Sequence, residues 1–119
     1  MRTTRLDQMK GGWFVGAFSP VALKTDAAEV ALKHYPAGVH DPRHYHKIAT
    51  EVTVIVSGEA EMNGMRYLAG DIIIIEPGDA TDFRTITAVT TAVVKIPGAL
   101  DDKYMGVPAQ ADLETDKHA

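Results

Sequence analysis

Apolar and polar positions alternate with a period near two through most of the chain, and glycine, proline or asparagine interrupts the alternation at intervals of about 8–12 residues. Trp13-Phe14-Val15 stands behind Gly11-Gly12 and is closed off by Ser19-Pro20. Residues 29–35 alternate loosely and stop at Pro36-Ala37-Gly38, and residues 51–57, rich in β-branched side chains, run into Gly58. Residues 59–62 and 65–68 flank Asn63-Gly64, a strong hairpin signal because both central residues of such a turn need positive φ. Residues 71–75 follow Gly70 and end at Pro77-Gly78, and residues 83–87 and 91–96 complete the set before Pro97-Gly98. The spacing predicts an all-β sandwich or barrel. A helical candidate lies at Asp26-Ala27-Ala28. The polar stretch 99–119 reads as a short helix, a strap across the barrel or a frayed end.

Strand parity adds detail. Within residues 51–57, Glu51, Thr53, Ile55 and Ser57 share one face, and Val52, Val54 and Val56 share the other. If the mixed face lines a pocket, the valine face needs cover from a second sheet, the N-terminal strand or a second copy, and a homodimer is the expectation. The unbroken run Ile72-Ile73-Ile74-Ile75 predicts a strand buried on both faces. Trp13, Phe14 and Phe18 read as core or interface, and Lys95, Asp102 and Lys103 as surface charges.

Composition narrows the classes of function. A chain of 119 residues makes one domain, 1–119, with its core over about residues 12–98. A net charge of −4 and a pI near 5.6 give no electrostatic case for nucleic acid or an anionic membrane. The absence of cysteine excludes disulfides, thiolate metal sites and a cysteine nucleophile. No run approaches the roughly 20 apolar residues of a membrane-spanning helix, and no apolar stretch follows the N-terminal arginines, so a soluble, cytoplasmic protein is expected.

Three of the five histidines crowd into His40-Asp41-Pro42-Arg43-His44-Tyr45-His46. Pro42 disfavours a helix there, and in an extended chain His44 and His46 face the same way. Glu51 lies at an odd offset from His46, but a turn through Lys47-Ile48-Ala49-Thr50 brings it round to the same side at the start of the next strand. Two imidazoles and a carboxylate form the facial triad of non-haem iron sites, and the same donors suit other divalent ions. His40 reads as a further pocket residue or, more simply, as an exposed loop histidine, and His118 as solvent-exposed. His34 faces either way, and Tyr35, Tyr45 and Tyr67 are available as hydrogen-bond donors to a pocket.

The stretch from Gly38 through His44, His46 and Glu51 to Gly58 resembles, glycine for glycine and ligand for ligand, the first signature of the cupin superfamily. The downstream stretch resembles the second signature imperfectly. Gly70-Asp71 and Gly78 fall in place, but Glu76 stands at the family's proline position with Pro77 one residue later. Thr81 stands at the position of the metal-binding histidine, and Thr85 at that of an asparagine. The resemblance implies a double-stranded β-helix, a jelly-roll-like barrel. It also implies a divalent ion (Fe, Mn, Ni or Zn) on His44, His46 and Glu51, with Thr81 and Asp82 beside a small polar ligand of carbohydrate or carboxylate type. Asp82 becomes a fourth ligand only if its strand slips or bulges. Function is then that of a metal-dependent isomerase or oxygenase. The alternatives are a metal-free enzyme like the sugar-nucleotide isomerases and epimerases, working through a histidine oriented by a carboxylate and a tyrosine acid, and a non-catalytic small-molecule-binding module.

Overall fold

A computed structural model describes residues 1–109. Two single 3₁₀ turns, Leu6–Gln8 and Lys10–Gly12, precede eleven strands. These are β1 (Trp13–Gly16), β2 (Leu23–Lys24), β3 (Glu29–Tyr35), β4 (His40–Tyr45), β5 (Thr50–Ser57), β6 (Glu59–Met62), β7 (Met65–Leu68), β8 (Ile72–Ile75), β9 (Thr81–Thr85), β10 (Val89–Ile96) and β11 (Tyr104–Met105). They form a six-stranded sheet in the order β2-β1-β3-β10-β5-β8 and a five-stranded sheet in the order β11-β4-β9-β6-β7. Their facing sides bury Ile55, Ala60, Met62, Ile75, Phe83 and Val89, with Tyr35 tilted against Phe83 at 5.1 Å between ring centroids. This is the all-β double-stranded β-helix. Among the described residues no helix is long and apolar enough to cross a membrane, and the Asp26–Ala28 stretch forms a bend, not a helix.

Local chemistry explains the turns. Asn63 (φ 51°) and Gly64 (φ 77°) join β6 to β7, with Met62 paired to Met65, the positive-φ pair that a two-residue hairpin requires. Gly58, at φ 89°, lies so close to Ala88 that an added Cβ would fall 2.1 Å from its carbonyl oxygen; no other residue fits there.

Three expectations are overturned. Ile72 and Ile74 are 64% and 61% exposed. The isoleucine strand is a sheet edge with one face uncovered, not a strand buried on both sides. Asp102 is buried, 5% exposed, because its carboxylate accepts the backbone N–H groups of Lys47, Ile48 and Ala49 at 2.9–3.2 Å. Lys95 is not a plain surface charge but half-buried in the cavity lining, whereas Lys103 is exposed as expected and stands at the edge of the same cavity. As for the polar stretch, its described part is a strap. Ala99 N–H bonds the buried Glu29 carboxylate at 2.6 Å, and β11 pairs with β4, so that Tyr104 stacks on Tyr45 at 5.4 Å. His118 lies outside the described residues.

The valine face of β5 is half covered. Register aligns Leu32, Ala92, Val54 and Ile72 in one outer row, and Val15, Val30, Val94, Val52 and Ile74 in the next. Near β1 and β3, Leu6 and Met9 from the N-terminal segment lie over these rows beside Phe14, Val30 and Leu32. At the β5–β8 end Val56, Ile72 and Ile74 remain exposed.

Candidate functional site

Between the sheets lies a cavity of about 240 Å³ whose lining includes His44, His46, Glu51, Thr81 and Asp82. The structure therefore brings together all five residues singled out from the sequence. His44 and His46 face inward from β4 and the turn after it, whereas Tyr45 between them turns the other way onto Tyr104. Their rings meet edge to face, 5.6 Å apart and 73° between planes. The turn to Glu51 is fixed from behind by Asp102, and Gly78 N–H bonds the His46 carbonyl at 2.8 Å.

The His46 ring is 3% exposed, and neither ring nitrogen has a hydrogen-bond partner among the described residues. Buried polar atoms without partners are rare and costly. Burial, chiefly, lowers its pKa, and the Lys95 ammonium adds to this against the pull of Glu51, so the ring is held neutral, the form that binds metals. His44 Nδ1 lies 3.0 Å from the Pro42 carbonyl. That contact fixes the tautomer and leaves Nε2 to the cavity, as an ordered metal-ligating histidine requires. Glu51 Oε2 accepts the Thr53 hydroxyl at 3.0 Å. The two imidazoles thus fit a metal ion. Glu51 is available as a third donor, a carboxylate, although among the described residues no three His, Asp or Glu groups already converge on one point.

Thr81 pairs with His44 across β4 and β9, but its hydroxyl donates to the Asp82 carbonyl at 2.8 Å. Asp82 caps the hairpin, with Oδ1 accepting the Asn63 N–H at 2.8 Å and Oδ2 3.3 Å from His40 Nε2. The Asn63 N–H, then His40, hold its carboxyl below the usual range. The strand carrying Asp82 is regular there; between Asp41↔Phe83 and His44↔Thr81 the register shifts, with β4 carrying the extra residue. That bulge lets Asp41 and His44, three apart, both face the cavity.

On the other wall, sequence reasoning placed Glu51 and Thr53 on a pocket-lining face but missed the lysines. The inner face of the six-stranded sheet presents Trp13, Ala31, Val93 and Thr53 in one row, flanked by rows carrying Lys33 with Thr91 and Lys95 with Glu51. Lys33 Nζ lies 5.2 Å and Lys95 Nζ 5.1 Å from the Trp13 ring. Period-two parity with the buried Ala31 and Val93 was the available signal. The Tyr35 phenol, pushed up to about 12 by burial and then by Asp41 and Glu51, stays protonated.

Comparison with solved structures places this architecture. The chain is similar to an uncharacterized conserved protein with a double-stranded β-helix domain from Klebsiella pneumoniae, at 24% identity over 91% of this chain and 99% of that one, with a TM-score of 0.65. It is also similar to the DMSP lyase DddQ from Ruegeria pomeroyi, at 24% identity and a TM-score of 0.61, over 78% of this chain and 49% of that one. A third likeness is to a cupin-2 domain protein from Shewanella frigidimarina, at 13% identity over 60% of this chain and 72% of that one, with a TM-score of 0.54. No protein-family profile and no curated protein matches the sequence. The chain has the cupin fold, as the motif resemblance implied.

Proposed function

We propose that this small cupin-fold protein binds a divalent metal ion through His44, His46 and Glu51 and takes a small polar ligand in the same cavity. The observation that carries this reading is the buried His46 ring with both nitrogens unpartnered, beside a His44 whose other nitrogen is already engaged. A bound ion supplies Lewis acidity toward a carbonyl or carboxylate oxygen. The metal-free alternative is less well supported, because it needs an imidazole oriented by a carboxylate within the pocket. His44 faces a backbone carbonyl instead, and the histidine–carboxylate contact seen is the rim pair His40–Asp82. The likeness to DMSP lyases motivates a lyase assay, although the chain spans about half the length of the Ruegeria enzyme. The deciding experiment is metal analysis and calorimetric titration with Fe²⁺, Mn²⁺, Ni²⁺ and Zn²⁺ on protein purified without a histidine tag. One equivalent bound by wild type and lost in His46→Ala supports the reading; no stoichiometric metal overturns it.

The protein also acts as a homodimer on this reading, its second copy covering the β5–β8 end of the outer face. Val56, Ile72 and Ile74 are exposed there beside Val52 and Val54, and β8 is an unpaired edge without a charge between Ile72 and Ile75. Such an edge invites association, and a two-fold contact sets the same uncharged patch against itself. Light scattering should show a dimer that Ile72→Lys with Ile74→Lys converts to a folded monomer. Wild type that stays monomeric across the concentration range removes the dimer and leaves the metal reading intact.

A further inference from the structure

The cavity wall opposite the imidazoles has its own chemistry. Lys33 on β3 and Lys95 on β10 place their ammonium groups 5.2 and 5.1 Å from the centroid of one indole, that of Trp13, and all three line the cavity. Lysines over an aromatic face gain from the ring quadrupole, but two like charges beside one ring repel unless an anion lies between them. Neither ammonium has a carboxylate within ion-pairing distance among the described residues. Thr91, opposite Lys33 in the β3–β10 register, is 1% exposed, lines the same cavity and has a hydroxyl without a partner. A hydroxyl so placed needs an oxygen or nitrogen to bond.

From these placements we infer that Lys33, Lys95 and the Thr91 hydroxyl, ranged around Trp13, bind the carboxylate group of a small monoanionic ligand. The inference rests on the reading of this cavity as a ligand site and narrows its substrate class to short organic carboxylates. Size follows from the volume, about 240 Å³, below the roughly 300–1,000 Å³ of sites for drug-sized molecules. Charge follows from the lining, where Lys33, Lys95 and Lys103 are set against Asp41, Glu51, Asp79 and Asp82. The ammonium groups attract one negative charge, whereas a phosphate dianion meets more repulsion from the four carboxylates of the lining. Burial, the largest influence, lowers the Lys33 pKa, with the Lys95 ammonium adding to this against the pull of Asp41 and Glu51.

Trp13 is the chain's single tryptophan, so its fluorescence reports events at this wall alone. The test titrates wild-type protein with propanoate and 2-hydroxypropanoate, and in parallel with propanamide and inorganic phosphate. Saturable change in Trp13 emission with the carboxylates, weaker by at least about tenfold for the amide and for phosphate, is the expected result. Lys33→Met and Lys95→Met should each weaken carboxylate binding by about tenfold or more, and the arginine variants should retain it. Equal response to the amide, preference for phosphate, or carboxylate affinity unchanged in the methionine variants overturns the inference; the last result would mean that the carboxylate sits on the metal instead. If a methionine variant fails to fold, the carboxylate–amide comparison on wild type still decides. Metal stoichiometry is measured on the same samples. A protein that binds metal and a neutral polyol but no carboxylate refutes this inference alone, whereas one that binds neither metal nor any probe refutes the functional reading as well.

Discussion

The segments carrying the two motifs enter the same cavity, yet they spend their polar groups differently. In the first, 38–58, His46 keeps both ring nitrogens unpartnered and His44 keeps one directed to the cavity. In the second, 70–85, the Thr81 hydroxyl turns to the backbone and the Asp82 carboxylate caps the hairpin. Thr85 ties the 36–39 turn, donating to the Pro36 carbonyl and accepting the Val39 N–H. Gly78 still bonds the His46 carbonyl. The second segment has kept its scaffolding role and given its side chains to structure, so donor capacity resides in the first.

The largest test of that contrast is His46→Ala against Thr81→Val. Calorimetry should show metal affinity falling by more than about 100-fold in the former, since even supporting partners of ligands cost 10–100-fold, and no change in the latter. Thr81→His, facing His44 across the strands, should tighten binding. If Thr81→Val abolishes binding, the contrast is broken. Next in size is Asp102→Ala, which strips the turn behind His46 of its acceptor and should cost about 2–3 kcal/mol in urea unfolding; wild-type stability would mean that the turn holds itself. Smallest is Asp82→Asn, expected to cost up to about 1 kcal/mol at neutral pH with metal binding retained. Because the folded Asp82 carboxyl titrates below its ordinary value of 3.8, its contribution is complete above that value and fades as pH falls through the lower folded value. The difference between wild type and Asp82→Asn should therefore shrink in acid melts, and a gap that persists there would show that charge has no part in it.

Legibility followed locality. Asn63-Gly64 was readable because the turn is written in the two residues that make it. The imidazole pair was readable from the offset of two, and the presence of Glu51 in the same cavity lining from a single intervening turn. Ile72–Ile75 was misread because an edge strand with one bare face and a doubly buried strand have the same apolar run. Asp102 was misread because its partners are backbone N–H groups more than fifty positions earlier. Lys33, Lys95 and Trp13 come from three strands whose register, not their sequence, sets them side by side.

The distance in sequence between Asp102 and the turn it braces, 53 positions from Ala49, sets an order of events during synthesis. Contacts so far apart cannot form until the later residue has left the ribosome. A nascent chain translated only as far as β10 already carries both imidazoles, but the bend that aims them waits for its carboxylate brace. The turn after His46 is therefore braced only once Asp102 has emerged, well after His44 and His46 themselves.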